Sequence, residues 1–215
     1  MPGSSHDRLR RALLALPPGG SLLDLGAGAG HLGREIAGHF VHVAGVEPDA
    51  AVRPPLGAYD EWVSDSVANV ESWSRTFDVV VCADVLEHLE DPAAVLARVR
   101  RWLSPRGALF VSLPNVANVA IRLALLAGRF EYAEAGILDR THLRFFTRRS
   151  ARRLVENAGF RIRRLHPTPI PAELAIPVLR RAPLRAPARA LFSAAASLWP
   201  TLFGYQFVIE AERTP

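Results

Sequence analysis

Three groups of residues in this 215-residue chain have the types and spacing for chemistry. The first is a glycine-rich turn behind an acid, Asp24-Leu25-Gly26-Ala27-Gly28-Ala29-Gly30-His31-Leu32-Gly33, with Glu47 further on. Glycines let a backbone approach a ligand closely, and a carboxylate about twenty residues later is placed to pair with ribose hydroxyls, so the pattern is that of a nucleoside grip. Read from Gly28 it is the G-x-G-x-x-G of a dinucleotide site; read from Asp24 it is D-x-G-x-G-x-G, an acid followed by alternating glycines. The second group is Asp84-Val85-Leu86-Glu87-His88, whose spacing puts three ligand-type side chains on one face if helical. The third is Asp139-Arg140-Thr141-His142-Leu143-Arg144, a polar cluster between apolar stretches. Histidine is the usual general base near neutrality, so His88 and His142 compete for that role. For each group the alternative is architectural: a tight turn, a surface acid, or a hydrogen-bonded anchor.

The elements that must position these residues follow from the hydrophobic pattern. Short apolar runs alternate with helix-like segments, which implies a mostly parallel α/β sheet covered by helices on both faces. Candidate strands lie at 21–25, 42–46, 62–64, 77–82 and 108–113, with 161–165 and a last one at 205–212. Candidate helices lie at 31–39, 49–59 (weakened by Pro54-Pro55), 92–103, 115–126 and 148–157. Asp91 is a natural N-cap for the third of these, with Pro92 at its first position. Ligands bind at the carboxyl edge of such sheets, which puts His142, in the loop after the fifth strand, over the site.

Composition narrows the class. With 49% apolar and 22% charged residues, the chain is globular and of single-domain length. The single cysteine, Cys82, excludes a disulfide framework. The apolar run 12–16 stops at Pro17-Pro18, too short for a secretory signal, so a cytoplasmic location is expected. All 26 basic residues are arginine. Thirteen of them fall in residues 140–189 against 2 acids, whereas residues 1–139 hold 12 Arg and 17 acids. A basic block on an acidic body suggests a local anionic partner (a phosphorylated substrate, a lipid surface or RNA), or an Arg-rich solvated helix face. No RNA-binding module or aromatic platform accompanies the block, which ranks nucleic acid low.

Beyond the turn, Phe77-Asp78-Val79-Val80-Val81-Cys82-Ala83-Asp84 through Pro92 resembles the fourth strand and following turn of the class I, Rossmann-like S-adenosylmethionine-dependent methyltransferases. Leu103-Ser104-Pro105-Arg106-Gly107-Ala108-Leu109 is similar to that family's L-x-P-G-G-x-L entry into its fifth strand, with Arg106 in place of the first glycine. The stretch from Leu113 through Gly128-Arg129-Phe130 to Thr147 is similar to bacterial methyltransferases of surface-polysaccharide gene clusters, and more distantly to MetW-type proteins. The resemblance implies a seven-stranded sheet with an antiparallel last strand and S-adenosyl-L-methionine as cofactor. It places Asp24, Gly26, Gly28 and Gly30 at the methionine end, Glu47 on the ribose, Asp65 and Ser66 at the adenine, and Cys82 and Ala83 against the cofactor through backbone atoms.

For the acceptor, the resemblance implies a small molecule: a hydroxyl of a sugar, free or lipid-linked, or instead a quinone-type phenol or a carboxylate. A non-catalytic partner protein of the same fold is the rival of another class. His142 is expected as base or acceptor contact, oriented by Asp139, with Arg140 and Arg144 meeting an anionic substrate. In the similar ubiquinone O-methyltransferase branch an acid-x-x-Glu-His binds a divalent cation, which makes Asp84, Glu87 and His88 a candidate metal set. Residues 166–200, broken by seven prolines, are expected to form a helical lid or insertion before the last strand, with peripheral membrane contact through 172–200 as one reading.

Overall fold

The short apolar runs become strands in a computed structural model that describes residues 3–52, 54–171 and 182–214. In chain order the elements are α1 (Ser5–Leu14), β1 (Ser21–Leu25), α2 (His31–Glu35), β2 (His42–Val46), β3 (Glu61–Val63) and β4 (Phe77–Ala83). A 3-10 turn (Leu86–His88) leads to α3 (Pro92–Trp102), β5 (Leu103–Pro114), α4 (Val119–Leu126) and α5 (Arg148–Asn157). Then come β6 (Phe160–Pro169), α6 (Ala182–Leu198), α7 (Pro200–Phe203) and β7 (Gly204–Arg213). The strands form one sheet in the order β3-β2-β1-β4-β5-β7-β6. β7 runs antiparallel to both of its neighbours, and β1 to β5 pair in parallel. This is the expected Rossmann-like sheet. Its order reverses between β1 and β4, so the carboxyl ends of those strands open a crevice.

Alternation of side chains across the pleat divides the core in two. Leu22, Val79, Val81, Phe110 and Val208 face Leu9 and Leu13 of α1 and Leu32 of α2. Leu23, Val80, Leu109 and Ile209 face the other way, against Leu96 and Val99 of α3 and Val155 of α5. Cys82 belongs to this second layer and is fully buried.

Several boundaries differ from the sequence pattern, each for a local reason. The pattern does not single out α1, yet Ser4 caps it by accepting from the Asp7 N–H, and its Leu9 and Leu13 complete one core layer. In place of the helix expected at 49–59, the described residues make turns and irregular chain, because Pro54-Pro55 offers no donors for helical bonding. α4 begins at Val119 rather than 115, since the Asn118 side chain caps it while that of Asn115 donates to the carbonyls of Thr201 and Gly204. β6 runs to Pro169 and so takes the first residues of the expected lid. As an edge strand it tolerates prolines, and its register shifts between Pro167 and Pro169.

Of the helical lid expected at 166–200, residues 172–181 lie outside the described residues, and α6 runs from Ala182 to Leu198. Among the described residues no helix is long and apolar enough to cross a membrane.

Gly45, in β2, has no room for a side chain. An added Cβ would lie 2.7 Å from the Trp62 ring and 2.8 Å from Tyr59, two rings packed edge to face at 5.0 Å. Gly45→Ala is therefore expected to lower stability in urea unfolding by about 1–3 kcal/mol, the usual cost of overpacking.

Candidate functional site

The glycine turn closes the carboxyl end of β1 and opens α2. Gly26, Gly28 and Gly30 all have left-handed backbones, with φ of 72°, 53° and 70°. Two of them are enclosed: a Cβ on Gly26 would strike Val85 at 2.8 Å, and one on Gly30 would strike Pro55 at 2.5 Å. Gly28 is different, for a Cβ there would meet nothing within 4 Å. The open space adjoins a cavity of about 180 Å³ whose walls include Ser5 and Leu9 of α1, Asp24, Gly28, Ala83 and Asp84. This is the crevice the strand order predicts, and α1 roofs it.

Asp24 is 1% exposed and accepts a 2.7 Å hydrogen bond from the Tyr59 hydroxyl. Burial, reinforced by the charge of Glu47, outweighs that bond and pushes its pKa up to about 6. Glu47 leaves β2 and is fixed by two backbone donors, the N–H of Gly28 at 2.8 Å and of Asp49 at 3.1 Å, so its carboxylate stands at the rim of the turn. Asp65, beyond β3, accepts from the Ser66 N–H at 2.6 Å and the Asn69 amide at 2.8 Å. Ser66 Oγ accepts in turn from the Ala68 N–H. The Cys82 side chain points into the core and burial pushes its thiol pKa far up, so only its backbone can face a ligand.

Asp84 follows β4 in a left-handed conformation, φ 53°. Its carboxylate accepts from Ser112 Oγ at 2.7 Å, Gln206 Nε2 at 2.9 Å and Ser5 Oγ at 3.3 Å. These three donors occupy it, and it is not among the closely grouped ligand atoms, which changes the metal set read from sequence. In place of Asp84 stands His142: one ligand atom from each of Glu87, His88 and His142 lies within 4.8 Å of the others. The local spacing was right for a helix, but the chain makes a 3-10 turn there and the missing partner comes from the distant loop.

The two histidines are held in defined tautomers by oxygens. His142 Nδ1 is 3.1 Å from the Ile137 carbonyl, which only accepts, so that nitrogen carries the proton and Nε2 presents its lone pair. Nε2 lies 4.0 Å from Glu87 Oε1. Burial lowers the pKa of His142, while burial and then the neighbouring Asp84 push that of Glu87 up to about 9. The contact is thus imidazole against carboxylic acid rather than an ion pair. His88 packs edge to face on His142 at 4.7 Å, and its Nδ1 approaches the Thr141 carbonyl at 3.2 Å and hydroxyl at 3.1 Å.

The Asp139 carboxylate accepts both the N–H and the hydroxyl of Thr141, and its carbonyl accepts from the His142 N–H at 3.1 Å. Arg144 is exposed, and its Nε and Nη2 donate to the Glu90 carbonyl at 3.1 and 2.6 Å. Arg140 pairs with Glu134. An aromatic wall absent from the sequence reading stands beside His142. Phe145 lies 6.3 Å from His142, 6.0 Å from Phe130 and 6.3 Å from Tyr132. Tyr205 was missed too; its hydroxyl sits against Gly136, where an added Cβ would come within 2.8 Å. Nothing local in the sequence marks these residues, though the aromatic spacing 130, 132, 145 was visible in the loop.

Known proteins share the fold and the family. The methyltransferase-domain family matches residues 2–165. The ubiquinone biosynthesis O-methyltransferase of Aeromonas salmonicida is 29% identical over 156 residues, covering 67% of this chain and 64% of that one. The protein of the same name from Hahella chejuensis is 34% identical over 126 residues, covering 53% and 51%. The chain thus spans between half and two thirds of the length of these curated relatives. Among solved structures, the 1,6-didemethyltoxoflavin-N1-methyltransferase of Burkholderia thailandensis, with bound S-adenosylhomocysteine, shares the fold at a TM-score of 0.63 and 17% identity, covering 100% of this chain and 80% of that one. A match over most of the chain, a sheet of this order and a glycine turn beside an open crevice converge: the chain belongs to the methyltransferase-domain family, the S-adenosylmethionine-dependent methyltransferases of Rossmann-like fold.

Proposed function

We propose that the protein transfers the methyl group of S-adenosylmethionine to a hydroxyl oxygen of a ring-bearing small molecule, with His142 as general base. The observation that carries this reading is the state of His142. Its proton is committed to the Ile137 carbonyl, its Nε2 lone pair is available, and its lowered pKa keeps it neutral at physiological pH. S-adenosylmethionine would supply a sulfonium-activated methyl group in exchange for S-adenosylhomocysteine, and His142 would take the proton of the acceptor hydroxyl on Nε2. Asp24 and the backbone of Gly26, Gly28 and Gly30 would hold the methionine end. Glu47 would accept from the ribose hydroxyls, Asp65 and Ser66 would meet the adenine, and the Cys82 and Ala83 backbone would flank it.

The aromatic wall of Phe130, Tyr132 and Phe145 favours a phenolic ring as acceptor, because such a ring stacks on it while its hydroxyl points to His142. The relatives named as ubiquinone biosynthesis O-methyltransferases support the same choice. A sugar hydroxyl is the second reading, supported by the resemblance of the loop from Leu113 to Thr147.

A divalent cation fits Glu87, His88 and His142, since Glu87 Oε2 is buried without a hydrogen-bond partner. Bound there, it would supply charge to lower the pKa of an acceptor hydroxyl. Without it, Glu87 serves as the neutral acid that packs against His142, which is the state we adopt.

Three outcomes test this assignment. A labelled-methyl screen is expected to transfer label to catechol-type phenols; label entering only sugars would overturn the acceptor choice. His142→Ala is expected to lower kcat by about 10²- to 10⁴-fold. Glu87→Gln, isosteric with the neutral acid, should retain activity, and excess EDTA should leave the rate unchanged; loss of activity in both would make the cation part of the site.

Asp24→Asn separates binding from stability. Because its pKa rises from 3.8 to about 6 on folding, the folded state binds the extra proton, so the wild-type loses stability as pH rises from about 4 to about 6 and stays level above. That loss is on the order of 3 kcal/mol at 1.36 kcal/mol per unit. Asp24→Asn should flatten this window and raise the Tm at pH 7. Calorimetry should show S-adenosylmethionine binding weakened about 10- to 100-fold, the loss of a hydrogen bond to a charged group.

A further inference from the structure

α1 borders two cavities that share no lining residue. Ser5 and Leu9 face the cofactor cavity, whereas Arg8, Arg11 and Ala12 face a second pocket of about 210 Å³. This second pocket lies between α1 and the strands that end the sheet, β5, β7 and β6. Phe110 of β5 and Val208 of β7 supply its apolar lining. Arg164 and His166 of β6 face α1 across it, with Glu210 of β7 beside Arg164. These distant parts of the chain meet because β7 pairs with both β5 and β6, in a register that sets Arg164 against Glu210 and His166 against Val208.

The charges in this pocket do not balance. Arg164 pairs with Glu210 at 3.7 Å, and Arg11 with Asp7 at 2.8 Å. Arg8 has no such partner, for Asp7 is held by Arg10 and Arg11. Among the described residues the Arg8 guanidinium makes no ion pair and no hydrogen bond, and its Nε is shut off from solvent. Burial and then the charge of Arg11 push its pKa down, yet a guanidinium keeps its proton at any usable pH, so the charge stays. A half-buried charge without a counter-ion costs stability. His166 feels the same field: burial and then Arg8 and Arg164 push its pKa down, against the pull of Glu210.

We propose that this pocket binds the phosphate group of a small molecule, with the Arg8 guanidinium as its principal contact and Arg11, Arg164 and His166 around it. The planar fork of arginine matches phosphate oxygens, and a doubly charged phosphate meets the positive surplus that Asp7 and Glu210 leave. The His166 imidazole adds a donor once the anion offsets its cationic neighbours. A carboxylate fits the same fork but brings only one charge, which is why phosphate is favoured.

Calorimetry on the full chain with inorganic phosphate, with S-adenosylhomocysteine saturating the cofactor cavity, tests the site. One phosphate per chain is expected, with acetate binding more weakly. Arg8→Gln should weaken phosphate binding about 10- to 100-fold, the loss of hydrogen bonds to a charged group. Arg149→Gln, on α5 across the sheet, should leave it unchanged. Phosphate should raise the Tm of the wild-type protein but not that of Arg8→Gln. Without phosphate the glutamine variant should melt no lower than wild type, because it removes a buried charge that has no partner. If that variant does not fold, Arg8→Lys, which keeps the charge but not the fork, takes its place, and weaker binding is again expected. Absence of phosphate binding, full affinity in the Arg8 variants, loss of binding in Arg149→Gln, or acetate binding as tightly as phosphate would overturn the proposal.

Discussion

The hydrogen bond from Tyr59 to Asp24 is the contact on which the cofactor side of this structure depends. The same phenol oxygen accepts from the Gly33 N–H at 3.3 Å, so one side chain joins the end of β1, the first turn of α2 and the irregular segment before β3. Room for its ring exists only because Gly33 and Gly45 lack side chains; a Cβ on Gly33 would come within 2.4 Å of it. A carboxylate in so dry a place costs stability that one hydrogen bond does not recover. The raised pKa of Asp24 is the measure of that cost, and the residue that bears it also lines the cavity under Gly28.

Three acids cluster near this edge and each meets a different fate. Asp24 is buried with one donor and titrates near 6. Asp84 has three side-chain donors and remains an anchor. Glu87 has an orphaned oxygen and a pKa pushed to about 9. The difference lies first in burial: Asp24 and Glu87 are each 1% exposed, which raises their pKa, whereas Asp84 stands at the surface among its donors.

This bears on what the sequence discloses. The sheet was legible because its evidence is local: alternating apolar runs, Asp91 before Pro92, glycines at the end of β1. The glycine turn and Glu47 were legible for the same reason. Tyr59 and Asp24 stand 35 positions apart, and Gln206 and Asp84 stand 122 apart; no local pattern announces such pairings. Asp84 was read with Glu87 and His88 because helical spacing was assumed, and its left-handed backbone defeats that assumption. Arg144 was read as a substrate contact because its partner, the Glu90 carbonyl, is an acceptor that every residue offers and no sequence distinguishes.

Asp84 ties the helix over the cavity to the middle of the sheet. Ser5 belongs to α1, Ser112 to β5, and Gln206 to β7, the strand paired with β5. A left-handed aspartate that holds all three passes any displacement of α1 through one carboxylate to two neighbouring strands.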